Sequence, residues 1–318
     1  MKIVVSGASG FLGSWICRVL ARSHEVIALV RPESNLYRLQ GIAPLTTSEI
    51  PSKNWGQFLS HSNADVWISL DWHGVSNRDR NSASQFENIK RLQELCAQVS
   101  SIPTVIGTGS QAELGPINDL IFETQGDAPT TLYGEAKVNA RNIMQSHFAG
   151  SETRFVWARI FSTYGALDSN DWLIPSTIEA LIRGERMSLT QGEQEWSYLH
   201  AFDLAGAFKT LAEDKKISGI VNVGNPETVK IHDVAAFIGK ALDRPELLGF
   251  GDVPYRVDQV MKLAPACEKL TAAGWVPEIE LDAGITHLIN WMSYKSDLSL
   301  LTKSGSAIDL HLPARRRK

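Results

Sequence analysis

The chain has 318 residues, 43% of them hydrophobic and 21% charged, with a net charge of −4. That size and balance suit a globular enzyme built as one large α/β domain or as a domain carrying a lobe. The small negative charge excludes a general attraction to nucleic acid, and no apolar run reaches membrane-spanning length.

In chain order, Lys2–Ser6 is a short apolar run ending at glycines, the pattern of a buried parallel strand. Phe11–Arg22 has helical periodicity, and Glu25–Val30 reads as the second strand. Asp65–Leu70 and Pro103–Thr108 read as two more strands, separated by a helix through Gln85–Val99. A helix over Thr131–His147 and a strand over Arg154–Ile160 follow. Strands alternating with helices predict a Rossmann-type, doubly wound parallel sheet. The N-terminus enters a strand at once, with no room for a signal peptide, and Cys17, Cys96 and Cys267 lack metal-ligand spacing. A cytoplasmic protein with reduced thiols and no metal is expected.

After Gly165 the pattern loosens. Asp168–Trp172 is a polar loop, Ile174–Arg183 a helix, and Gly184–His200 a set of short strands. Asp203 is placed to cap a helix through Leu211, Gly219–Val223 returns to the sheet, and Ile231–Leu242 and Leu281–Trp291 are further helices. The expected division is a Rossmann domain over 1–165 plus about 201–225, and a smaller substrate lobe over about 166–200 plus 226–292. The tail 293–318 ends in Arg315-Arg316-Arg317-Lys318 and is expected to be solvated.

Gly7-x-x-Gly10-x-x-Gly13 lies between the first strand and the first helix. A dinucleotide site needs a tight turn there, close approach of backbone to pyrophosphate, and a helix N-terminus aimed at the phosphates. Ser9, Phe11 and Leu12 share that loop, and Leu70 ends a neighbouring strand. The second strand ends Ala28-Leu29-Val30-Arg31, without the carboxylate that usually binds an NAD ribose. Arg31 instead suits a 2′-phosphate, with Arg38 seven residues on, so NADP(H) is the expected cofactor. Glu33 leaves NAD(H) as the second choice.

Tyr133 and Lys137 stand four apart and share a helix face. An ammonium beside a phenol favours phenolate and draws the tyrosine pKa from about 10 toward neutrality, making a tunable acid. Ser110 lies upstream in Thr108-Gly109-Ser110-Gln111.

This set of glycines, Ser110 and Tyr133-x-x-x-Lys137 resembles the extended short-chain dehydrogenase/reductases of the nucleotide-sugar epimerase and dehydratase type. The resemblance covers about Met1–Trp291. It implies that Tyr133 is the general acid/base, that Lys137 binds the nicotinamide ribose, and that Ser110 holds the reacting oxygen. It places Phe161 against the nicotinamide and gives Arg256, in Pro254-Tyr255-Arg256-Val257-Asp258, a grip on the substrate diphosphate. Gly274-Trp275-Val276-Pro277 matches a structural signature near the family's C-terminus, and His200 matches a family histidine read here as core.

The departures narrow the reaction. Dehydratases of this type carry an Asp-Glu pair where this chain has Gln111 and Ala112, which cannot protonate a leaving hydroxyl. Glu113 is one place further on and is expected to point elsewhere. Ser162 stands at the family's substrate-binding asparagine, and Trp196-Ser197-Tyr198 replaces an Arg-Asp-aromatic segment, so Gln111, Ser162, Trp196 and Arg256 are the expected substrate contacts. The whole is most similar to nucleotide-diphosphate 4-keto-6-deoxyhexose reductases such as the CDP-abequose and CDP-paratose synthases. The expected activity is NADPH-dependent reduction of the C4 keto group of such a sugar, in a homodimer. An NAD-dependent epimerase, a reductase of another small carbonyl compound and a non-catalytic cofactor sensor remain as alternatives.

Overall fold

The computed structural model describes residues 1–76, 78–100, 102–256 and 259–294. Its first half runs β1 (Lys2–Ser6), α1 (Phe11–Leu20), β2 (Glu25–Val30), β3 (Thr46–Glu49), α2 (Trp55–His61), β4 (Val66–Ser69), α3 (Ser84–Gln98) and β5 (Thr104–Ser110). β6 (Leu120–Ile121), α4 (Leu132–Phe148), β7 (Arg154–Ile160), β8 (Thr163–Tyr164) and α5 (Leu173–Arg183) follow. Next come β9 (Met187–Leu189), β10 (Glu195–Ser197), β11 (Leu199–His200), α6 (Ala201–Glu213) and β12 (Gly219–Val223). The last elements are β13 (Thr228–Lys230), α7 (Ile231–Ala241), β14 (Leu248–Phe250), β15 (Lys262–Pro265), α8 (Glu268–Ala272) and α9 (Leu281–Ser293).

Seven strands form one parallel sheet in the order β12-β7-β5-β4-β1-β2-β3. The near-continuous apolar character of β1 follows from burial on both faces. Ile3 and Val5 join the core under α1 and α6, while Val4 joins a second core with Trp67, Trp157 and the inner faces of α3 and α4. A four-stranded sheet, β13-β10-β15-β6, forms the smaller layer, and its β6 comes from the first half of the chain. The expected lobe therefore borrows a strand from between β5 and α4. Among the described residues no helix is long and apolar enough to cross a membrane.

Several elements escaped the sequence pattern: β3, α2, β6, β8, β13, β14, β15 and α8. β3 reads Thr-Thr-Ser-Glu and is largely exposed at the sheet edge, so no apolar alternation marks it. α2 is a short helix burying only Trp55, Gly56 and Leu59. The cap of α6 is also corrected. His200 Nδ1 accepts the Phe202 N–H at 3.2 Å, whereas the Asp203 carboxylate accepts the Glu278 and Ile279 N–H groups at 3.0 and 3.1 Å. Asp203 thus ties α6 to the segment before α9. The tail past Tyr294, expected to be solvated, lies outside the described residues, as do Val257 and Asp258.

The glycine loop sits where β1, β4 and α1 meet. Gly7 has φ of +76°, and a Cβ there would lie 2.6 Å from the Leu70 carbonyl carbon. A Cβ on Gly13 would lie 2.3 Å from the Gly7 carbonyl oxygen. Both neighbours are backbone and cannot swing aside. Gly13→Ala should therefore cost at least about 2 kcal/mol, whereas Gly126→Ala, with nothing within 4 Å of its Cβ, should change stability by less than about 0.5 kcal/mol. Urea unfolding of the two variants checks this, and equal midpoints would refute the packing argument.

Candidate active site

β5 ends at Ser110 and passes directly into a one-turn helix, Gln111–Glu113. Its start is a capping box: Ser110 Oγ accepts the Ala112 N–H at 3.2 Å, and Glu113 Oε1 accepts the Ser110 N–H at 2.7 Å. Glu113 is wholly buried. Its carboxylate also accepts Trp157 Nε1 at 3.1 Å and meets Arg141 at 3.3 Å and Arg159 at 3.5 Å. Burial pushes its pKa up, and the Arg159 charge leads the groups that pull it back. Arg141 also forks onto Asp127 through Nη1, at 2.9 Å, and through Nη2. Glu113 thus points away from the cleft, as its position after Gln111 and Ala112 suggested.

α4 brings the second half of the device. Thr131 caps it, with Oγ1 accepting the Gly134 N–H at 3.1 Å. A Cβ on Gly134 would lie 2.2 Å from the Ala112 carbonyl oxygen, so the first turn of α4 packs directly on the Ser110 turn. That contact brings Ser110 close enough to the Tyr133 phenol to lower its proton affinity. Lys137 Nζ donates to the Thr108 carbonyl at 3.0 Å and sits 4.0 Å from the centroid of the Trp72 ring. It lies 5.9 Å from the Tyr133 ring centroid.

The electrostatics correct one expectation. Burial dominates at Tyr133 and pushes the phenol pKa up; the Ser110 hydrogen bond and then the Arg80 charge pull it back, while Glu113 adds to the rise. The foremost cation acting on the phenol is Arg80, not Lys137. Lys137 is itself pushed down to about 8 by burial, against the Glu113 and Asp71 charges.

The cradle around the glycine loop fits a dinucleotide. α1 starts at Phe11 with no side-chain cap on Gly10 and no acid in its first turn, leaving its amino end free for an anion. Arg31, at the end of β2, lies 3.3 Å from His73 Nε2, beyond the end of β4, and 3.3 Å from Glu33. Its guanidinium therefore reaches from the β2 end to the segment after β4. Arg38 is placed elsewhere: its Nε donates to the Leu167 carbonyl at 2.9 Å. Phe161 is buried with Leu114, Ile121 and Leu263, in the small core joining the two layers.

The expected substrate contacts are partly gathered. Gln111 adjoins Ser110, and its buried Oε1 has no hydrogen-bond partner among the described residues. Trp196 Nε1, on β10, donates to the Val260 carbonyl just before β15 at 3.2 Å. Ser162 is half-buried and its carbonyl accepts the Leu199 N–H at 2.9 Å. Arg256 is exposed, and its charge is felt at Arg80. His200 is core: its ring packs edge-on against Trp15, Tyr164 and His287, and burial lowers its pKa to about 3. The sequence reading missed Arg80, whose loop has no periodicity. It also missed Asp71, which accepts from Ser6 Oγ at 2.9 Å and faces Arg91 at 3.6 Å.

A model described as the NAD dependent epimerase/dehydratase family matches residues 3–224. An uncharacterized UDP-glucose epimerase of Bacillus subtilis (strain 168), YtcB, is 23% identical over 79% of this chain and 85% of its own length. CDP-abequose synthase of Salmonella muenchen is 22% identical over 91% of this chain and 97% of its own. A trifunctional UDP-glucose 4,6-dehydratase/UDP-4-keto-6-deoxy-D-glucose 3,5-epimerase/UDP-4-keto-L-rhamnose-reductase of Arabidopsis thaliana is 22% identical, and the chain spans 46% of its length. The solved structure of MoeE5 in complex with UDP-glucose and NAD shares the fold, with a TM-score of 0.79 at 21% identity over 93% of this chain and 100% of that one.

Glu113→Gln keeps an acceptor for Ser110 but strips the charge that Arg159 and Arg141 face. It should destabilise the protein by about 3 kcal/mol in urea unfolding. A variant as stable as the parent would mean that Asp127 alone satisfies both arginines.

Proposed function

The chain belongs to the NAD-dependent epimerase/dehydratase family of enzymes, and from that premise we propose that it reduces the C4 keto group of a nucleotide-diphosphate 4-keto-6-deoxy sugar with NADPH. The orientation of Glu113 carries this reading. Elimination of water needs a second acid/base group beside the tyrosine. The turn after Ser110 offers the cleft only Gln111 and Ala112, because Glu113 is turned into the protein against Trp157, Arg141 and Arg159. What remains is a device for a single proton, which suits interconversion of a ketone and an alcohol. The similarity to a CDP-abequose synthase along nearly its whole length supports the same direction.

Tyr133 gives its proton to the C4 oxygen as that oxygen becomes an alcohol. Because burial raises its pKa, the phenol stands protonated at neutral pH, as a donor must. Ser110 Oγ already accepts from Ala112, so its own proton is free for the phenol or for the substrate oxygen. Lys137, held on Thr108 and the Trp72 face, places a positive charge behind the developing alkoxide. When bound along the glycine loop, the nicotinamide supplies the hydride that C4 receives. The absence of a carboxylate at the end of β2, and the reach of Arg31 there, support the 2′-phosphorylated form.

One observation favours a second reading, an NAD-dependent nucleotide-sugar epimerase. Glu33 pairs with Arg31 just after β2, where a carboxylate serves an NAD ribose, and MoeE5 holds NAD. In that case Tyr133 must also work as a base.

Tyr133→Phe should slow reduction by about 100-fold or more while NADPH binding is kept. Undiminished turnover would sink the mechanism. Reduction should fall as pH rises past about 8, because Lys137 loses its charge there, and a flat profile to pH 10 would remove Lys137 from the chemistry. Arg31→Ala should weaken NADPH by about tenfold or more and NADH little. NADPH oxidation across CDP-, dTDP-, UDP- and GDP-linked 4-keto sugars tests the activity. Purified protein carrying bound NAD and interconverting UDP-sugars without net oxidation would select the epimerase.

A further inference from the structure

Arg80 is a cation in the cleft that neither reading uses. It lies between β4 and α3, in a loop tied to the start of the catalytic helix. The Arg80 carbonyl accepts the Tyr133 N–H at 2.8 Å, and Asn81 Oδ1 accepts the Leu132 N–H at 3.0 Å. The guanidinium carbon lies 5.6 Å from the Tyr133 ring centroid and 5.7 Å from the Trp172 ring centroid. Trp172 precedes α5, a helix without a side-chain cap or an acid in its first turn. Arg80 therefore reaches from the large-sheet side to the opening of α5, across Tyr133.

Its charge is poorly answered. Among the described residues Arg80 forms no ion pair with a carboxylate, and its buried Nε has no hydrogen-bond partner. The two rings offset part of the cost. Arg256 brings a second like charge close enough to act on it. Two guanidiniums and an open helix N-terminus, with the adjoining Asp79 and Asp171 exposed and engaged by Ser76 and Ser169, make a place for a multiply charged oxyanion.

We propose that Arg80 is a ligand of the substrate's diphosphate, closing on it from the large-sheet side while Arg256 holds it from the small-sheet side. This rests on the reading that the substrate is nucleotide-linked, and it holds for reductase or epimerase alike. It has a consequence for the proton. Arg80 favours loss of the Tyr133 proton, so its neutralisation by diphosphate makes the phenol hold that proton more firmly until C4 oxygen takes it. Binding of the distant diphosphate is thereby felt at the reacting group.

The test is calorimetric titration of UDP, CDP and dTDP, and of the matching nucleosides, into the wild type, Arg80→Gln, Arg80→Lys and Arg256→Gln. The proposal expects Arg80→Gln to weaken the best-bound diphosphate by about 10- to 100-fold, leaving its nucleoside within twofold. Arg80→Lys, which keeps the charge without the fork, should fall between, and it carries the test if Arg80→Gln does not fold. An Arg80→Gln protein that binds the diphosphate as the wild type does, while Arg256→Gln loses it, overturns the role of Arg80 alone. A wild type that binds no diphosphate better than its nucleoside overturns that role and the nucleotide-linked substrate together. Retained diphosphate binding with no reduction of any keto sugar would reject only the reductase.

Discussion

The corner that gathers Ser110, Tyr133 and Lys137 depends on one buried carboxylate. Glu113 holds the Ser110 backbone, the Trp157 indole of β7, Arg159 of β7 and Arg141 of α4 at once. A charge with no exposure is tolerable only when paired and hydrogen-bonded on most of its lone pairs, so these partners cannot drift independently. Ser110 is therefore set by a network rather than by its own loop. The same carboxylate acts on the proton affinity of both Tyr133 and Lys137. By turning inward to do this, it leaves Gln111 and Ala112 as the other residues of the turn after Ser110.

A second constraint is close backbone packing. The glycine loop lies against the end of β4, and the first turn of α4 lies against the Ser110 turn. These contacts gather the ends of β1, β4 and β5 into one rim, where ligands of open parallel sheets bind. Trp72 fills the space just past β4 and puts an aromatic face under Lys137. The lysine is thus held before any ligand arrives, between that face and the Thr108 carbonyl.

Much of the fold was legible. β1, β2, β4, β5 and β7 could be placed because strands buried on both faces are plainly apolar. β3 could not, since an edge strand of Thr, Thr, Ser and Glu has no such signature. Arg38 shows the limit of reading along the chain. It stands seven residues from Arg31 in sequence, yet the one-turn helix Tyr37–Leu39 directs it to Leu167. The Tyr133 electrostatics were misjudged for a related reason. The local partner Lys137 was visible at four residues' distance, while burial and Arg80, 53 positions away, were not.

The sequence by itself determined the dinucleotide cradle and the Tyr133–Lys137 pair, because each depends on spacings of a few residues within one loop or one helix turn. Only the tertiary structure decided how burial acts on that pair, which partners Glu113 meets inside the protein and which arginine stands over the phenol. Those outcomes follow from burial and from contacts between β5, α4, β7 and the loop before α3. Such contacts join distant segments, and no local periodicity encodes them.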